Sequence, residues 1–545
     1  FVTYFSLGNG LCNYEKGEKF SDFQWYNLGM QDFMPTWRWW VIDDNGNVPA
    51  DAIKCDLSYD EAYMGANSLK FSGKTAKSNV RLFKTQFAVK GSEKATLVYK
   101  VKEGTDAKMK LTYSLQGSED QFKSVVVPAA KAGEWSTATW KLSDWGINNG
   151  DVIACLGVTI ENTDEKYAVN VGELSIVDPA KTFNPVKFNP EKWAGAAEYA
   201  GMKYVVFTTK HHDGFNMYDT QYSDYKITDV ECPFHTDANA DIAKRIFDAF
   251  RGKGMMAGAY YSIADWNNND YWWDYFPPKD RNINYPPEMF PEKWQRLNDF
   301  INNQLNELTG GKYGNLGMLW FDLCDASPDR HPQWERFAKT VRTNQPGIMM
   351  VARHTNTIYE NYRTPEQKIP DRALDYPWEA CMTMATQWSY KPDDSYKSTH
   401  DILTTLVQIV SRGGNFLLNV GPGPDGELAP EAYQRLKEIG DWMQVNSEGI
   451  HGTKAIAPYK EDRIAFTSKD NNVYAFYLNA KDEYMPSVVK IRSFVPVSAK
   501  SVFLMGHNRP LKWKKTGDGI EIIIPESVRK NPPCDLVWGF KLKIK

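Results

Sequence analysis

The chain has 545 residues, enough for two to four domains. Lys and Arg total 64 against 68 Asp and Glu, a formal net charge of −4, so there is no basic footprint of the kind nucleic-acid binders carry. No apolar run approaches the length of about 18 residues that a membrane span needs.

The seven cysteines (Cys12, Cys55, Cys155, Cys232, Cys324, Cys381 and Cys534) are odd in number, scattered and without paired ligand spacing. They argue for neither a disulfide framework nor a zinc site. The start, Phe1-Val-Thr-Tyr, has no Met and no signal peptide, which reads as a mature or trimmed chain. Aromatics make up 14% of the residues, with 19 Trp and 29 Tyr. Most must fill cores, and the surplus suits stacking on the apolar faces of sugar rings.

In chain order, residues 1–48 read as a linker-like segment. Residues 49–180 alternate in short stretches such as Ser68-Leu-Lys-Phe-Ser72, Ala95-Thr-Leu-Val-Tyr-Lys-Val101 and Met109-Lys-Leu-Thr-Tyr113, separated by turn signals at Ser72-Gly73 and Asn149-Gly150. That pattern predicts a β-sandwich. From residue 183 to 450 the period changes. A helical stretch from Phe188 stops at Gly201, and Lys203-Tyr-Val-Val-Phe-Thr-Thr-Lys210 follows as a buried strand. A helix near Asp241–Gly252 and strands at Met255–Ser262, Gly314–Asp322, Gly347–Arg353 and Tyr376–Met384 continue the alternation. Several of these strands end on a charged residue, as in a (β/α) barrel with its site at the C-terminal ends. The proline-rich Phe276-Pro-Pro-Lys and Tyr285-Pro-Pro-Glu read as a loop over the barrel mouth. Residues 451–545 alternate again, in Arg463-Ile-Ala-Phe-Thr-Ser and Asn472-Val-Tyr-Ala-Phe-Tyr-Leu, and predict a small antiparallel sandwich. The expected fold class is therefore multidomain α/β plus all-β: a (β/α) barrel flanked by two β-sandwiches.

The densest chemistry is Lys210-His211-His212-Asp213-Gly214, where two of only eight histidines meet at a strand end. Together with Leu319-Trp-Phe-Asp322, Thr364-Pro-Glu-Gln367, Pro377-Trp-Glu379 and the Gly413–Gly426 stretch, this cluster resembles the α-L-fucosidases of glycoside hydrolase family 29, from about Phe183 onward. Tyr63–Gly73 and Trp135–Trp140 resemble jelly-roll carbohydrate-binding modules. Asn27–Trp40 resembles the stretch behind the catalytic barrel of family-85 endo-β-N-acetylglucosaminidases, a likeness that implies an N-glycan setting and no activity.

Retaining glycoside hydrolysis needs two carboxylates about 5–5.5 Å apart. Asp322 ends an apolar strand, which fixes it on the scaffold, and the resemblance makes it the nucleophile. Asp325, three residues on, reads as a helix start or a supporting group. For the acid/base both Glu366 and Glu379 stay open, with the loop position of Glu366 slightly preferred. The resemblance implies that His211 and His212 hydrogen-bond fucose hydroxyls. It also implies that Tyr261 and Arg353 contact the sugar and the nucleophile's surroundings. Trp320 and Trp388 are candidates to pack on the C5 methyl of fucose. No metal and no organic cofactor is called for. The implied partner is a fucosylated oligosaccharide or glycoprotein glycan, and the implied setting is extracellular or periplasmic. Two rival readings are a glycan-binding descendant without turnover and a retaining glycosidase for another sugar such as galactose.

One element of the resembled pattern is not found. The family opens its barrel with a strand reading close to Phe-Gly-Ile-Phe-Ile-His-Trp-Gly, whereas here Phe183 follows almost directly on the predicted sandwich. The expectation is a fusion or deletion that leaves the barrel without its first strand and with two exposed edges.

Overall fold

Unbroken apolar runs make the central sheet, because strands covered on both faces have no polar side to show. In the computed structural model seven parallel strands form it: β1 (Val2–Thr3), β2 (Tyr204–Lys210), β3 (Met256–Ser262), β4 (Met318–Asp322), β5 (Met349–Ala352), β6 (Trp378–Thr383) and β7 (Gly414–Val420). Their spatial order is β5-β4-β3-β2-β1-β7-β6. The structure describes the chain apart from residues 1, 4–11, 14–23, 26–39, 43–53, 59, 62, 64–67, 73–77, 84–90, 93, 104–106, 116, 152, 162–167, 176–182, 266, 269, 272–284, 323–331, 354–356, 391–393 and 545. Asn27–Trp39, Phe276–Lys279 and Asp325 therefore lie outside the described residues.

Helices alternate with these strands: α1 (Pro190–Tyr199), α2 (Ile242–Gly252), α3 (Pro291–Thr309), α4 (Trp334–Asn344), α5 (Thr399–Ser411) and α6 (Pro430–Asn446). Their starts follow from local chemistry. The side chains of Asn189, Asp241 and Ser398 each accept a backbone N–H from the first turn, and Pro190 opens α1. The chain leaves α1 through Gly201, whose φ of 76° is one that a glycine adopts without strain. No described helix is long and apolar enough to cross a membrane.

The expected gap at the first strand is corrected by β1. Val2 pairs with Val206 of β2 and Asn419 of β7, and Thr3 pairs with Phe207 and Val420. The slot is filled from far upstream, and the antiparallel sheets lie in the connection between β1 and α1. A search beside Phe183 misses it because two paired residues carry no strand signature. No ladder joins β5 to β6 among the described residues, so the sheet is not continuous around a closed circle. Residues 361–366 lie between them: Asn361 donates its backbone N–H to Met350, and Arg363 and Glu366 make isolated parallel bridges to Trp378 and Cys381.

Upstream of α1 are two five-stranded antiparallel sheets. One runs Ser118–Val126, Lys108–Leu115, Ile153–Glu161, Ser78–Phe83, Trp40–Ile42; the other runs Trp135–Lys141, Lys94–Val101, Ala168–Ser175, Ser68–Ser72, Lys54–Ser58. Leu97, Tyr99, Leu111, Tyr113, Leu156, Val158, Val169 and Val171 are buried there. Downstream of α6 a five-stranded and a three-stranded sheet enclose a separate core that includes Phe466, Val489, Ile491, Ile520, Ile522 and Phe540.

Side-chain parity positions the site. Successive residues of a strand face opposite sides. Val206, Tyr260, Met318, Trp320, Val351, Cys381 and Leu417 gather into an inner cluster. The residues between them, including Phe207, Ala259, Tyr261, Leu319, Phe321 and Met350, join the larger core under the helices. Asp322 shares the inward parity of Met318 and Trp320.

Candidate active site

Asp322 ends β4 beside Ser262, its partner at the end of β3. Three groups converge on its carboxylate. Arg353, just past β5, donates from Nη1 to Oδ1 at 2.8 Å. Tyr260 of β3 donates its hydroxyl to Oδ2 at 2.6 Å. His212 Nε2 stands 3.9 Å from the same oxygen. The other terminal nitrogen of Arg353, Nη2, donates to Glu366. One guanidinium thus holds both carboxylates. Burial works against its positive charge, but Asp322 and then Glu366 outweigh that and raise its proton affinity further.

The histidines follow β2 and are buried. Their rings lie 4.0 Å apart, and His211 stacks on Tyr260 at 5.5 Å with 9° between planes. His212 Nδ1 is hydrogen-bonded to the Ser262 hydroxyl. The turn beyond them needs Gly214: its φ is 81°, and a Cβ there would lie 2.2 Å from Asp265 Oδ1. Asp265 in turn pairs with the fully buried Lys210 at 2.9 Å. Burial lowers the proton affinity of that lysine, and Asp265 partly offsets it.

Trp320 lies beneath this constellation. Its ring stacks on Tyr260 at 5.4 Å, the Arg353 guanidinium stands 5.4 Å from its centroid, and its Nε1 donates to Glu379 Oε1 at 3.0 Å. Glu379 also accepts from the Tyr204 hydroxyl at 2.5 Å. Tyr204 opens β2 and Glu379 is the second residue of β6, so this pair belongs to the N-terminal half of the sheet, opposite the end that carries Asp322. Burial raises the carboxyl's proton affinity, while its two donors pull the other way.

The structure thus brings Asp322, Glu366, Arg353, His211, His212 and Trp320 together. It sets Glu379 deeper, beneath Trp320. Trp388, half-buried, packs against the inner cluster and the outer core. One expected site residue is corrected. Tyr261 points outward, fully buried, with its hydroxyl donating to Gln304 Oε1 at 2.7 Å and Lys210 4.5 Å from its ring centroid. Tyr260 carries the inward hydroxyl instead. The Ser262–Asp322 pairing, which the structure supplies, sets this parity. Tyr204 and Ser262 were also missed; a strand's first tyrosine and a strand-end serine carry no signal of their own.

Paired carboxylates at the C-terminal ends of parallel strands, one fixed on a strand and one on a loop, are the equipment of a retaining glycoside hydrolase. The sequence profile described as Alpha-L-fucosidase matches residues 122–448, and the one described as Alpha-L-fucosidase C-terminal domain matches 459–543. Among curated relatives, the tissue alpha-L-fucosidase of Rattus norvegicus is 28% identical over 384 residues, covering 68% of this chain and 78% of its own. An alpha-L-fucosidase of Branchiostoma floridae is 27% identical, covering 67% of this chain and 80% of its own. Among solved structures, alpha-L-fucosidase isoenzyme 1 from Paenibacillus thiaminolyticus superposes with a TM-score of 0.57 at 30% identity, covering 67% of this chain and 89% of its own. A trapped covalent intermediate of a Bacteroides thetaiotaomicron alpha-L-fucosidase with 2-fluoro-fucosyl fluoride superposes with a TM-score of 0.56 at 25% identity, covering 67% of this chain and 84% of its own. The chain belongs to the alpha-L-fucosidase family, glycoside hydrolase family 29.

Proposed function

We propose that this chain hydrolyses terminal α-L-fucosyl linkages with retention, with Asp322 as nucleophile and Glu366 as acid/base. The observation that carries the assignment is the Arg353 guanidinium shared by the two carboxylates. Adjacent N–H groups of one guanidinium keep two carboxylates at about the spacing a retaining pair needs. In the first step Asp322 attacks the anomeric carbon while Glu366 gives its proton to the leaving oxygen. The ester consumes the charge of Asp322 and leaves Arg353 wholly to Glu366. Having given up its proton, Glu366 is a carboxylate, and it takes a proton from water as the water displaces Asp322.

The other residues serve the sugar and the nucleophile. His211 and His212 bond hydroxyls, since a neutral imidazole both donates and accepts. Tyr260 and Arg353 fix the attacking carboxylate. Trp320 supports both from below, and Trp388 stands for the C5 methyl. Glu379 holds the Trp320 indole rather than transferring the proton. We read the parallel sheet as a (β/α) barrel closed through residues 361–366, with β-sandwiches before and after it; the upstream one keeps the expectation of carbohydrate binding. The substrate class is a fucosylated oligosaccharide or glycoprotein glycan met outside the cell or in the periplasm.

The test is release of p-nitrophenol from p-nitrophenyl α-L-fucoside by the full chain. Asp322→Ala is expected to keep less than about one hundredth of the turnover. The 2-fluoro-fucosyl fluoride reagent should label the Asp322 peptide by mass spectrometry. Label on another carboxylate would refute the assignment.

A further inference from the structure

We propose that His211, His212 and Asp322 form a capture site for a divalent transition-metal ion of the zinc or copper kind, and that such an ion excludes the sugar from the pocket. The exclusion rests on the fucosidase reading above; the metal site stands on its own geometry. One ligand atom from each of the three residues lies within 4.8 Å of the other two. His212 Nε2 and Asp322 Oδ2 are 3.9 Å apart. A nitrogen and an oxygen bound to one zinc ion at about 2.0–2.2 Å in tetrahedral geometry stand roughly 3.4 Å from each other. Closing that pair on an ion asks for about half an ångström of movement, and the widest of the three pairs, at no more than 4.8 Å, asks for up to about 1.4 Å.

Three further features favour capture. Two imidazoles and one carboxylate are the donor set that zinc, copper and nickel prefer over magnesium or calcium. The Ser262 hydroxyl at His212 Nδ1 fixes that ring with its other nitrogen toward Asp322, the kind of outer contact that orients a ligating imidazole. The scaffold is stiff, since Asp322 and Ser262 are paired strand residues and both histidines are buried.

Charge cuts both ways. Arg353 repels a dication, but it sits on Asp322 Oδ1 while His212 faces Oδ2. The negative charge of Asp322 offsets the positive charge of the guanidinium it pairs with. A carboxylate oxygen has two lone pairs, so Oδ2 can accept from Tyr260 and ligate a metal at the same time. The guanidinium holds the affinity below that of a dedicated zinc site, which makes the ion an inhibitor and not a resident cofactor. It would occupy the space in which the imidazoles meet sugar hydroxyls.

The test uses the untagged full chain, stripped with chelator and titrated with Cu2+ under electron paramagnetic resonance. One strongly bound Cu2+ with hyperfine coupling to two imidazole nitrogens is expected. His211→Ala and His212→Ala should each remove one nitrogen, and Ser262→Ala should weaken binding about tenfold or more. With Zn2+, the KM for the aryl fucoside should rise while kcat holds, and chelator should reverse the effect. A copper spectrum without a two-nitrogen pattern in the folded wild type, or one unchanged in both histidine variants, overturns the site. Zinc inhibition that lowers kcat at constant KM overturns the exclusion. If the chain turns over no fucoside, the copper spectrum still decides the metal site, so the two readings fail separately.

Discussion

Tyr260 donates its hydroxyl to Asp322 Oδ2 at 2.6 Å, while its neighbour Tyr261 donates on the opposite face of the same strand, to Gln304 at 2.7 Å. Two chemically identical side chains, one residue apart, therefore have different jobs. Tyr260→Phe removes a hydrogen bond to a charged oxygen, a contact worth about 1.5–3 kcal/mol. If most of that is felt in the transition state, kcat/KM for the aryl fucoside falls roughly tenfold to a hundredfold. Tyr261→Phe removes a neutral bond far from the sugar. It should lower the midpoint of thermal inactivation by a few degrees and leave kcat within about twofold. Equal kinetic losses in the two variants would contradict the parity of β3.

The roles of Glu366 and Glu379 separate by chemical rescue. Glu366→Ala should lose turnover steeply on fucosides with poor leaving groups and less steeply on p-nitrophenyl fucoside, whose leaving group needs little protonation. Added azide should then restore turnover and yield fucosyl azide of the same anomeric configuration as the substrate, because the ester on Asp322 still forms. Glu379→Ala should show no azide rescue and the same proportional loss on good and poor leaving groups. Glu379 touches the site through the Trp320 indole, whose N–H it accepts, and not through the reacting atoms. Rescue of the Glu379 variant by azide would reverse the assignment.

How much of this was legible in the sequence depended on what each residue type signals. The strands β2 to β6 could be read because apolar runs ending in a polar residue have few other meanings. The His211-His212 pair and Asp322 stood out as polar groups at the ends of such runs. Which of Tyr260 and Tyr261 faces inward could not be read from composition, because a strand buried on both sides has no polar face to break the tie. The depth of Glu379 was equally hidden: Pro-Trp-Glu reads the same at either end of a strand, and only the partner hydroxyl of Tyr204 places it. Gln304, from a helix 43 residues beyond Tyr261, marks the outer face in the same way.

The burial of Glu379 has a pH signature. Its folded-state proton affinity is raised, with burial as the largest cause. A carboxyl raised in this way binds protons more readily in the folded than in the unfolded chain. Its contribution to stability is therefore fully present below the ordinary glutamate value near 4.5 and is lost as pH rises through the higher folded value. Glu379→Gln keeps the shape and cannot ionise. Urea unfolding of wild type and variant between pH 4 and pH 8, followed through Trp fluorescence, should show the variant gaining on the wild type as pH rises. A gap that stays constant across that range would mean that Glu379 has the same proton affinity folded and unfolded.

The pairing of Val2–Thr3 between β2 and β7 makes the start of the chain part of the catalytic scaffold. The two residues bridge Val206–Phe207 and Asn419–Val420, and without them the strands carrying the histidines and Asn419 would present open edges to each other. A proline cannot donate to a ladder, and in a strand flanked on both sides that donor is needed. Thr3→Pro should therefore lower the thermal inactivation midpoint by several degrees, at about 2–4 °C per kcal/mol for a domain of roughly 250 residues. The kcat for aryl fucoside should fall with it, since His211 and His212 follow directly on β2. Thr3→Val keeps the donor and suits a strand, so it should match the wild type in both measurements. If the proline variant instead matches the valine variant, the slot between β2 and β7 does not depend on this segment, and the integrity of the parallel sheet must come from its other strands.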